Sequence, residues 1–184
     1  MSDNEIEIFQ ELRQPMALGE VFAKSGMFPD TKTQSQAVVK IMAGKELGLS
    51  PFQSMGSIYV VNGKLALAAQ AMSGLVKRSK EYDYVIKKLD DNECILSFTK
   101  NDTEVGQSTF TIKDAAKAGL ANKDNWKNYP RNMVFARALA NGCRWYCPQI
   151  IQGYYTQEEL EDLGETTNEP IKKEIIIEVE GNVK

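Results

Sequence analysis

Histidine is absent from the 184-residue sequence. Without imidazole groups, the chain cannot use histidine triads, histidine general bases or histidine metal ligands. Cysteine is scarce, and Cys94, Cys143 and Cys147 are too few and odd in number for a disulfide framework. No further ligand stands at metal-site spacing from Cys143 and Cys147, so we expect buried thiols and no metal site.

Targeting and nucleotide-binding signals are also missing. The acidic start, MSDNEIEIFQ, has no basic segment followed by an apolar one, which argues against a signal peptide. No run approaches the roughly 18 apolar residues of a membrane span. Gly44, Gly48, Gly56 and Gly63 do not form a phosphate-binding loop. We therefore expect a reduced cytosolic protein that makes no membrane contact and uses no cofactor.

Acidic charge is in excess over the whole chain but not over its middle. The net charge is −3, from 22 basic and 25 acidic residues. Residues 1–20 sum to −4 and residues 158–184 sum to −6, whereas residues 21–157 sum to +7. Acidic, solubilising termini explain this distribution as well as a basic binding surface with acidic ends does.

The pattern of apolar residues predicts an α+β fold, in which one small antiparallel sheet packs against several helices. Two apolar runs flank Asn62 and Gly63, a pair that favours a tight turn, so residues 58–65 are predicted to form a β-hairpin. The sheet is completed by a three-stranded meander, predicted over residues 82–89, 94–100 and 107–112.

Helices are indicated by 3.6-residue periodicity and by capping pairs. Three pairs mark helix starts, namely Thr33/Gln36, Thr111/Asp114 and Thr156/Glu159. Helices are predicted over residues 16–25, 33–48, 66–79, 115–120, 130–147 and 156–163. The segments 50–52 and 121–129 are predicted to be loops.

The helix that begins at Pro130 carries the most informative polar residues. At about 100° per residue, Arg137, Asn141 and Arg144 fall within a sector of roughly 60°. Small residues in the adjoining seam, such as Ala140, allow a neighbouring element to pack closely. The three polar side chains can present guanidinium and amide groups to a polyanion. Alternatively, the arginines pair with carboxylates of the protein itself.

Other candidate binding residues stand near this helix or at the hairpin. Arg131 opposes the helix dipole at its start and is suited to hold a ligand anion there. Trp126 lies in the predicted polar loop, where its ring could stack on a base. Asn62 and Lys64 flank the hairpin turn as a compact cationic point, although a turn lysine often has only a solubilising role.

Two stretches resemble the phage RecT/Redβ (Bet) family of single-strand annealing proteins. In KELGLSPFQSMGSIYVVNGKLALAAQAMSGLVKRS, residues 45–79, a helix ending in Gly-Leu-Ser-Pro leads to the hairpin. In DNWKNYPRNMVFARALANGCRWYCPQIIQGYYTQEEL, residues 124–160, the chain is similar to the family's Trp-x3-Pro-[Lys/Arg]-x-Met helix. The order and spacing of the two stretches are more specific than either alone, and the resemblance covers about residues 16–163.

The resemblance implies an α+β annealing fold that oligomerises into rings or helical filaments on DNA. Such a protein binds single strands along a basic groove and anneals complementary strands without ATP, in the cytoplasm of a bacterial host. Residues 1–163 would form this core and residues 164–184 an acidic tail. Family C-terminal regions often contact a partner exonuclease or the host single-strand-binding protein.

The resemblance also carries residue roles. Arg131, Arg137 and Arg144 match basic positions of the family's groove-lining helix, and Lys64 falls near a basic position at its hairpin. Asn132 stands where some members carry a further basic residue. The complete set of predicted DNA-binding residues is Asn62, Lys64, Trp126, Arg131, Arg137, Asn141 and Arg144.

Two alternative functions remain open. A passive single-stranded DNA-binding module would share the basic groove but would not promote annealing. A metal-dependent nuclease would use Asp90, Asp91 or Glu93, but Asp90 and Asp91 stand in a predicted turn, where solvated carboxylates are expected. Because no nucleophile stands beside a base, a binding protein is favoured over an enzyme.

Overall fold

Three helices form the N-terminal layer of the protein. The computed structural model describes the backbone of residues 3–164 and the side chains of residues 11–161. The three helices are α1 (Asp3–Ser25), α2 (Gln34–Glu46) and α3 (Pro51–Ser57). The predicted capping pair of α2 is confirmed. α3 occupies a segment predicted to be a loop, because Ser50 caps it and Pro51 suits its first turn.

The predicted hairpin is confirmed. β1 (Ile58–Val61) pairs with β2 (Lys64–Leu67) in antiparallel fashion. Asn62 and Gly63 form the turn with φ angles of 51° and 75°, the left-handed conformation that these two residue types tolerate best.

The meander is also confirmed. Its antiparallel strands are β3 (Tyr82–Leu89), β4 (Glu93–Lys100) and β5 (Thr103–Thr111). β5 begins earlier than predicted, because Thr103 pairs with Lys100 directly across the turn. Tyr84 lies opposite Phe98 in the register, and both side chains are buried on the same face of the sheet.

The prediction of one antiparallel sheet is wrong in two respects. The hairpin and the meander belong to separate three-stranded sheets, with strand orders β1-β2-β6 and β3-β4-β5. In addition, β6 (Tyr155–Thr156) pairs with β2 in parallel. A strand of two residues carries no detectable alternation, so the sequence pattern does not reveal it. The α+β class itself is confirmed, and both sheets are mainly antiparallel.

The remaining helices follow the predicted order, but several bounds differ and the short helix that begins at Pro148 was not predicted. They are α4 (Ala69–Arg78), α5 (Ile112–Lys117), α6 (Asp124–Asn128), α7 (Pro130–Tyr146), α8 (Pro148–Ile151) and α9 (Gln157–Gly164). α4 begins later than predicted, because Ala66 and Leu67 belong to β2. α6 is a single turn inside the segment 121–129 that was predicted to be a loop.

α7 is the central helix of the core and packs against β4, β5 and α4. Gly142 allows this close approach, because a Cβ at that position would overlap the ring of Phe98 on β4. Ser108 on β5 donates a hydrogen bond of 2.7 Å to the carbonyl oxygen of Ala138. The small residues predicted to form a packing seam are therefore buried in the helix–sheet interface.

The cysteines are buried, free thiols, as predicted. Burial raises the pKa of Cys94 to about 12. A hydrogen bond with Cys147 and burial both raise the pKa of Cys143. Across residues 3–164, no helix has the length and apolar character needed to cross a bilayer. Residues 165–184, nearly all of the predicted acidic tail, lie outside the described part of the chain.

Candidate nucleic-acid interface

Arg137 and Arg144 lie on the same side of α7, and both reach the carboxylate of Glu159 on α9. Arg144 Nη2 donates to both carboxylate oxygens, at 2.9 and 2.7 Å. Arg137 Nη1 lies 3.6 Å from Glu159 Oε1, and the Glu159 side chain is only 5 % exposed. The alternative in which these arginines pair with a carboxylate therefore describes this structure, and their contact with DNA stays a prediction.

Glu159 also forms the start of α9. Thr156 N donates to Glu159 Oε2 at 2.9 Å, and Thr156 Oγ1 accepts from Glu159 N at 3.2 Å. These two bonds make the predicted capping box, which is confirmed. One carboxylate thus caps its own helix and ties that helix to α7.

One exposed aromatic ring lies against Arg144, and a second exposed ring follows Arg144 in the chain. Asn141 Oδ1 accepts a hydrogen bond of 3.3 Å from Arg144 Nη1, which confirms that these residues share a face. The Arg144 guanidinium carbon lies 5.1 Å from the ring centroid of Tyr155, which is 46 % exposed. Trp145, the next residue along α7, is 58 % exposed. Exposed rings beside a guanidinium are typical components of single-strand binding surfaces.

A second candidate surface is a groove of about 450 Å³ between β1, α4, α7 and α9. Its lining comprises the rings of Tyr59 and Phe135, the amides of Gln70, Asn132 and Gln157, three alanines (Ala68, Ala69 and Ala136) and Glu158. The volume falls within the range of ligand-binding sites. Two rings with neighbouring amides suit a planar, polar ligand such as a nucleobase.

The hairpin directs Lys64 toward the same face as this groove. Tyr59 is opposite Ala66 in the register, and Val61 is opposite Lys64. Directly opposite residues share a face, and so do residues two apart, so Lys64 and Tyr59 lie on one face of the ribbon. Lys64 is exposed and makes no ion pair with any residue that the structure describes. Lys64 therefore lies beside the groove that Tyr59 and Phe135 line.

A buried lysine, Lys40, helps to hold Tyr59, one of the two rings that line the groove. The Lys40 side chain is 0 % exposed, and its Nζ lies 2.9 Å from Asp30 Oδ2 and 5.8 Å from the ring centroid of Tyr59. Asp30 Oδ2 also accepts a hydrogen bond of 3.1 Å from the backbone N–H of Val60. The Lys40–Asp30 pair thus ties β1, and with it Tyr59, to the N-terminal helices.

The groove and the arginine pair lie on different sides of α7. Phe135 and Arg137 are two residues apart, which places them about 160° apart around the helix at about 100° per residue. α9 borders both surfaces, because Gln157 lines the groove whereas Glu159 covers the arginines. The predicted binding residues are therefore not gathered on one surface, since Lys64 lies on the side of the groove whereas Arg137 and Arg144 lie on the other side of α7.

Trp126 does not lie in an open loop, so this expectation is wrong. α6 turns its ring inward, where it is 2 % exposed and lies 5.9 Å from the ring centroid of Phe110. A ring in this position packs the core beneath α7 and has no free face for a base. Tyr129, three residues later, is 61 % exposed instead.

Arg131 lies apart from the other arginines, as predicted. Its Nε donates to Asp91 Oδ1 at 3.2 Å, in a pair whose side chains are 60 % and 62 % exposed. Exposed pairs of this kind contribute little energy, so the Arg131 guanidinium remains accessible to a ligand anion.

The carboxylates considered for a nuclease serve the turn between β3 and β4. Asp90 Oδ1 accepts hydrogen bonds from the backbone N–H groups of Asn92 and Glu93, at 2.8 and 3.0 Å. These bonds hold the pKa of Asp90 below its usual value. Lys88 contacts both Asp90 and Glu93. Among the described residues, no three potential metal ligands come together.

The sequence did not reveal the groove, because its lining comes from four elements that are distant along the chain. No local pattern distinguishes Tyr59 or Phe135 from a core residue of a strand or a helix. The one available signal was the pair Asn132/Ala136, since residues four apart share a helix face and an exposed amide there borders a small residue.

Comparison of the chain with protein-family models, curated proteins and solved structures finds no match.

Proposed function

We propose that this protein binds single-stranded DNA and anneals complementary strands without ATP, as an oligomer. The observation that carries the proposal is the groove, in which the rings of Tyr59 and Phe135 stand beside three amide side chains. Base stacking on aromatic rings tolerates any sequence, because every base has a π face. The order of the two family-like stretches supports the annealing step.

The charge distribution supports a polyanionic ligand. Lys64 stands on the groove side of the hairpin, and residues 21–157 carry a net charge of +7. Further exposed lysines without an ion pair to a described residue are Lys80, Lys113 and Lys127. Such cations reduce the repulsion between two phosphate backbones, which is the main obstacle to pairing two strands.

Binding and annealing can be measured separately. Affinity for a labelled oligonucleotide, titrated at several salt concentrations, should fall linearly with the logarithm of salt concentration. Mixing the complex with the complementary oligonucleotide, without ATP, should give duplex faster than the naked strands do. Failure to bind a single strand even at low salt would refute the proposal.

The groove residues provide the site-specific test. Tyr59→Leu and Phe135→Leu should each weaken binding by about 1–3 kcal/mol, or roughly 5- to 150-fold, because each removes one stacking ring. Tyr129→Leu is the matched control, since Tyr129 is exposed but does not line the groove. Equal losses in all three variants would exclude the groove as the binding site.

The two rival functions give different results in the same assays. A passive single-strand coater binds but slows pairing, so annealing below the protein-free rate would favour it. A nuclease would cleave labelled DNA in magnesium or manganese. Because Asp90 caps the turn between β3 and β4 and Lys88 contacts both Asp90 and Glu93, we expect no cleavage. Cleavage that disappears in Asp91→Ala would replace the proposal with a nuclease.

A further inference from the structure

Glu159 holds a negative charge at the place where a DNA phosphate would contact Arg137 and Arg144. Both of its carboxylate oxygens accept hydrogen bonds from Arg144 Nη2, at 2.7 and 2.9 Å. Arg137 Nη1 lies 3.6 Å from Glu159 Oε1. Arginine binds carboxylate and phosphate oxygens with closely similar geometry. The same guanidinium groups cannot serve both anions fully at once.

We infer that Glu159 is an internal substitute for a backbone phosphate, and that α9 leaves the arginine pair when a single strand binds there. This inference rests on the proposed function and describes how that function is regulated. α9 in its docked position restricts the protein to the groove. Its release adds the Arg144, Asn141 and Tyr155 surface to the strand's path.

α9 packs against β1, β2, β6 and α7, but few of its described side chains are buried. Among its side chains that the structure describes, residues 157–161, only Glu159 and Leu160 are buried, at 4 % exposure each. An isolated helix of eight residues is not stable in water. The chain reaches α9 through β6, a strand of only two residues. Replacing the carboxylate by a phosphate therefore removes the contact of one of the two buried side chains among residues 157–161.

Because α9 is negatively charged, it cannot stay docked on Arg137 and Arg144 while a DNA strand binds there. Glu158, Glu159 and Glu161 place three carboxylates within one turn. Like charges this close to a phosphate backbone disfavour its approach. Glu158 also lines the groove, so release of α9 removes a negative charge from the groove wall as well.

Glu159→Gln tests the inference directly. The variant removes the competing charge, so binding of a labelled oligonucleotide should tighten by about tenfold, the value of one hydrogen bond to a charged group. The salt dependence should steepen by about 0.7 for each additional phosphate contact on a single strand. Glu161→Gln is the matched control, because it removes the same charge from the same helix, and the one described residue that bonds Glu161 is Gln157, at 2.7 Å. Its affinity should rise much less than that of Glu159→Gln, because Glu161 repels the strand only through its charge and does not occupy the arginine pair.

Leu160→Ala tests the same idea without changing charge. It loosens α9, so it should lower the melting temperature and still tighten DNA binding. If Glu159→Gln and Leu160→Ala instead weaken binding, the arginine pair only anchors α9 and the inference is overturned. Wild-type protein that binds no strand at low salt would refute the proposed function as well, whereas normal wild-type binding without tightening in either variant refutes the inference alone.

Discussion

At the scale of single residues, the most consequential side chain outside the two surfaces is Lys40. Its Nζ reaches both oxygens of Asp30, at 3.1 and 2.9 Å, and Thr31 Oγ1 at 3.2 Å. A buried ion pair of this kind adds little net stability, because the cost of removing both charges from water offsets their attraction. Removing one partner destabilises the protein, because the remaining charge stays buried without a counterion.

Asp30→Asn should therefore lower the free energy of unfolding by about 3–5 kcal/mol, because it leaves the Lys40 ammonium without a counterion. Urea denaturation followed by circular dichroism measures this change. Asp91→Asn is the matched control, since it breaks the exposed pair with Arg131 and should cost less than about 1 kcal/mol. Equal effects in the two variants would show that Lys40 is not buried in solution.

The helical period predicted the position of Arg144 correctly, but the sequence did not identify Glu159 as its partner. The helical period put Arg137, Asn141 and Arg144 together, and the structure agrees. The capping pair Thr156/Glu159 was also recognised, which assigned Glu159 a local role only. The same carboxylate also meets Arg144, fifteen residues away, and Arg137, which is still more distant in the chain. This depends on how α9 docks, and no local pattern encodes it.

At the scale of helices and strands, local signals predicted most starts and turns. Capping pairs located α2, α5 and α9, and Asn62-Gly63 located the hairpin. The pair Ser50/Gln53 carries the same signal, and the structure contains its complete capping box, yet the segment was predicted to be a loop. α3 has only seven residues, too few for the apolar period to be seen. α6 escaped prediction for the same reason, and Trp126 was misplaced with it.

The glycines of α7 and α4 provide a matched test of helix packing. Gly142→Ala should destabilise the protein by about 1–3 kcal/mol, because the new methyl group overlaps the ring of Phe98. Gly74→Ala on α4 meets open space and should stabilise the protein by up to about 1 kcal/mol, because alanine favours helix. Thermal unfolding of both variants checks the prediction. A stabilised Gly142→Ala protein would mean that α7 does not pack so closely on β4.

At the scale of the whole molecule, the cysteines report on the integrity of the core. Cys94, Cys143 and Cys147 are each 0 % exposed, and burial raises the pKa of Cys94 to about 12. Because no part of these side chains is exposed to a reagent, the three thiols should be inert in the folded state. Ellman's reagent should detect no thiol in native protein and three after denaturation in guanidinium. Stoichiometric labelling of native protein would contradict the buried positions.

The two sheets differ in when they can be completed. The meander joins strands that are neighbours in the chain, between Tyr82 and Thr111, whereas β2 pairs with β6 through Ala66 and Tyr155. Contacts between neighbouring segments form early, and those that close a long loop form late. On the ribosome, β2 therefore keeps an unpaired edge until residues 155–156 emerge, and an open edge can pair with another chain. We therefore expect the nascent protein to pass through a stage in which its meander is folded while its hairpin sheet can still pair with another chain.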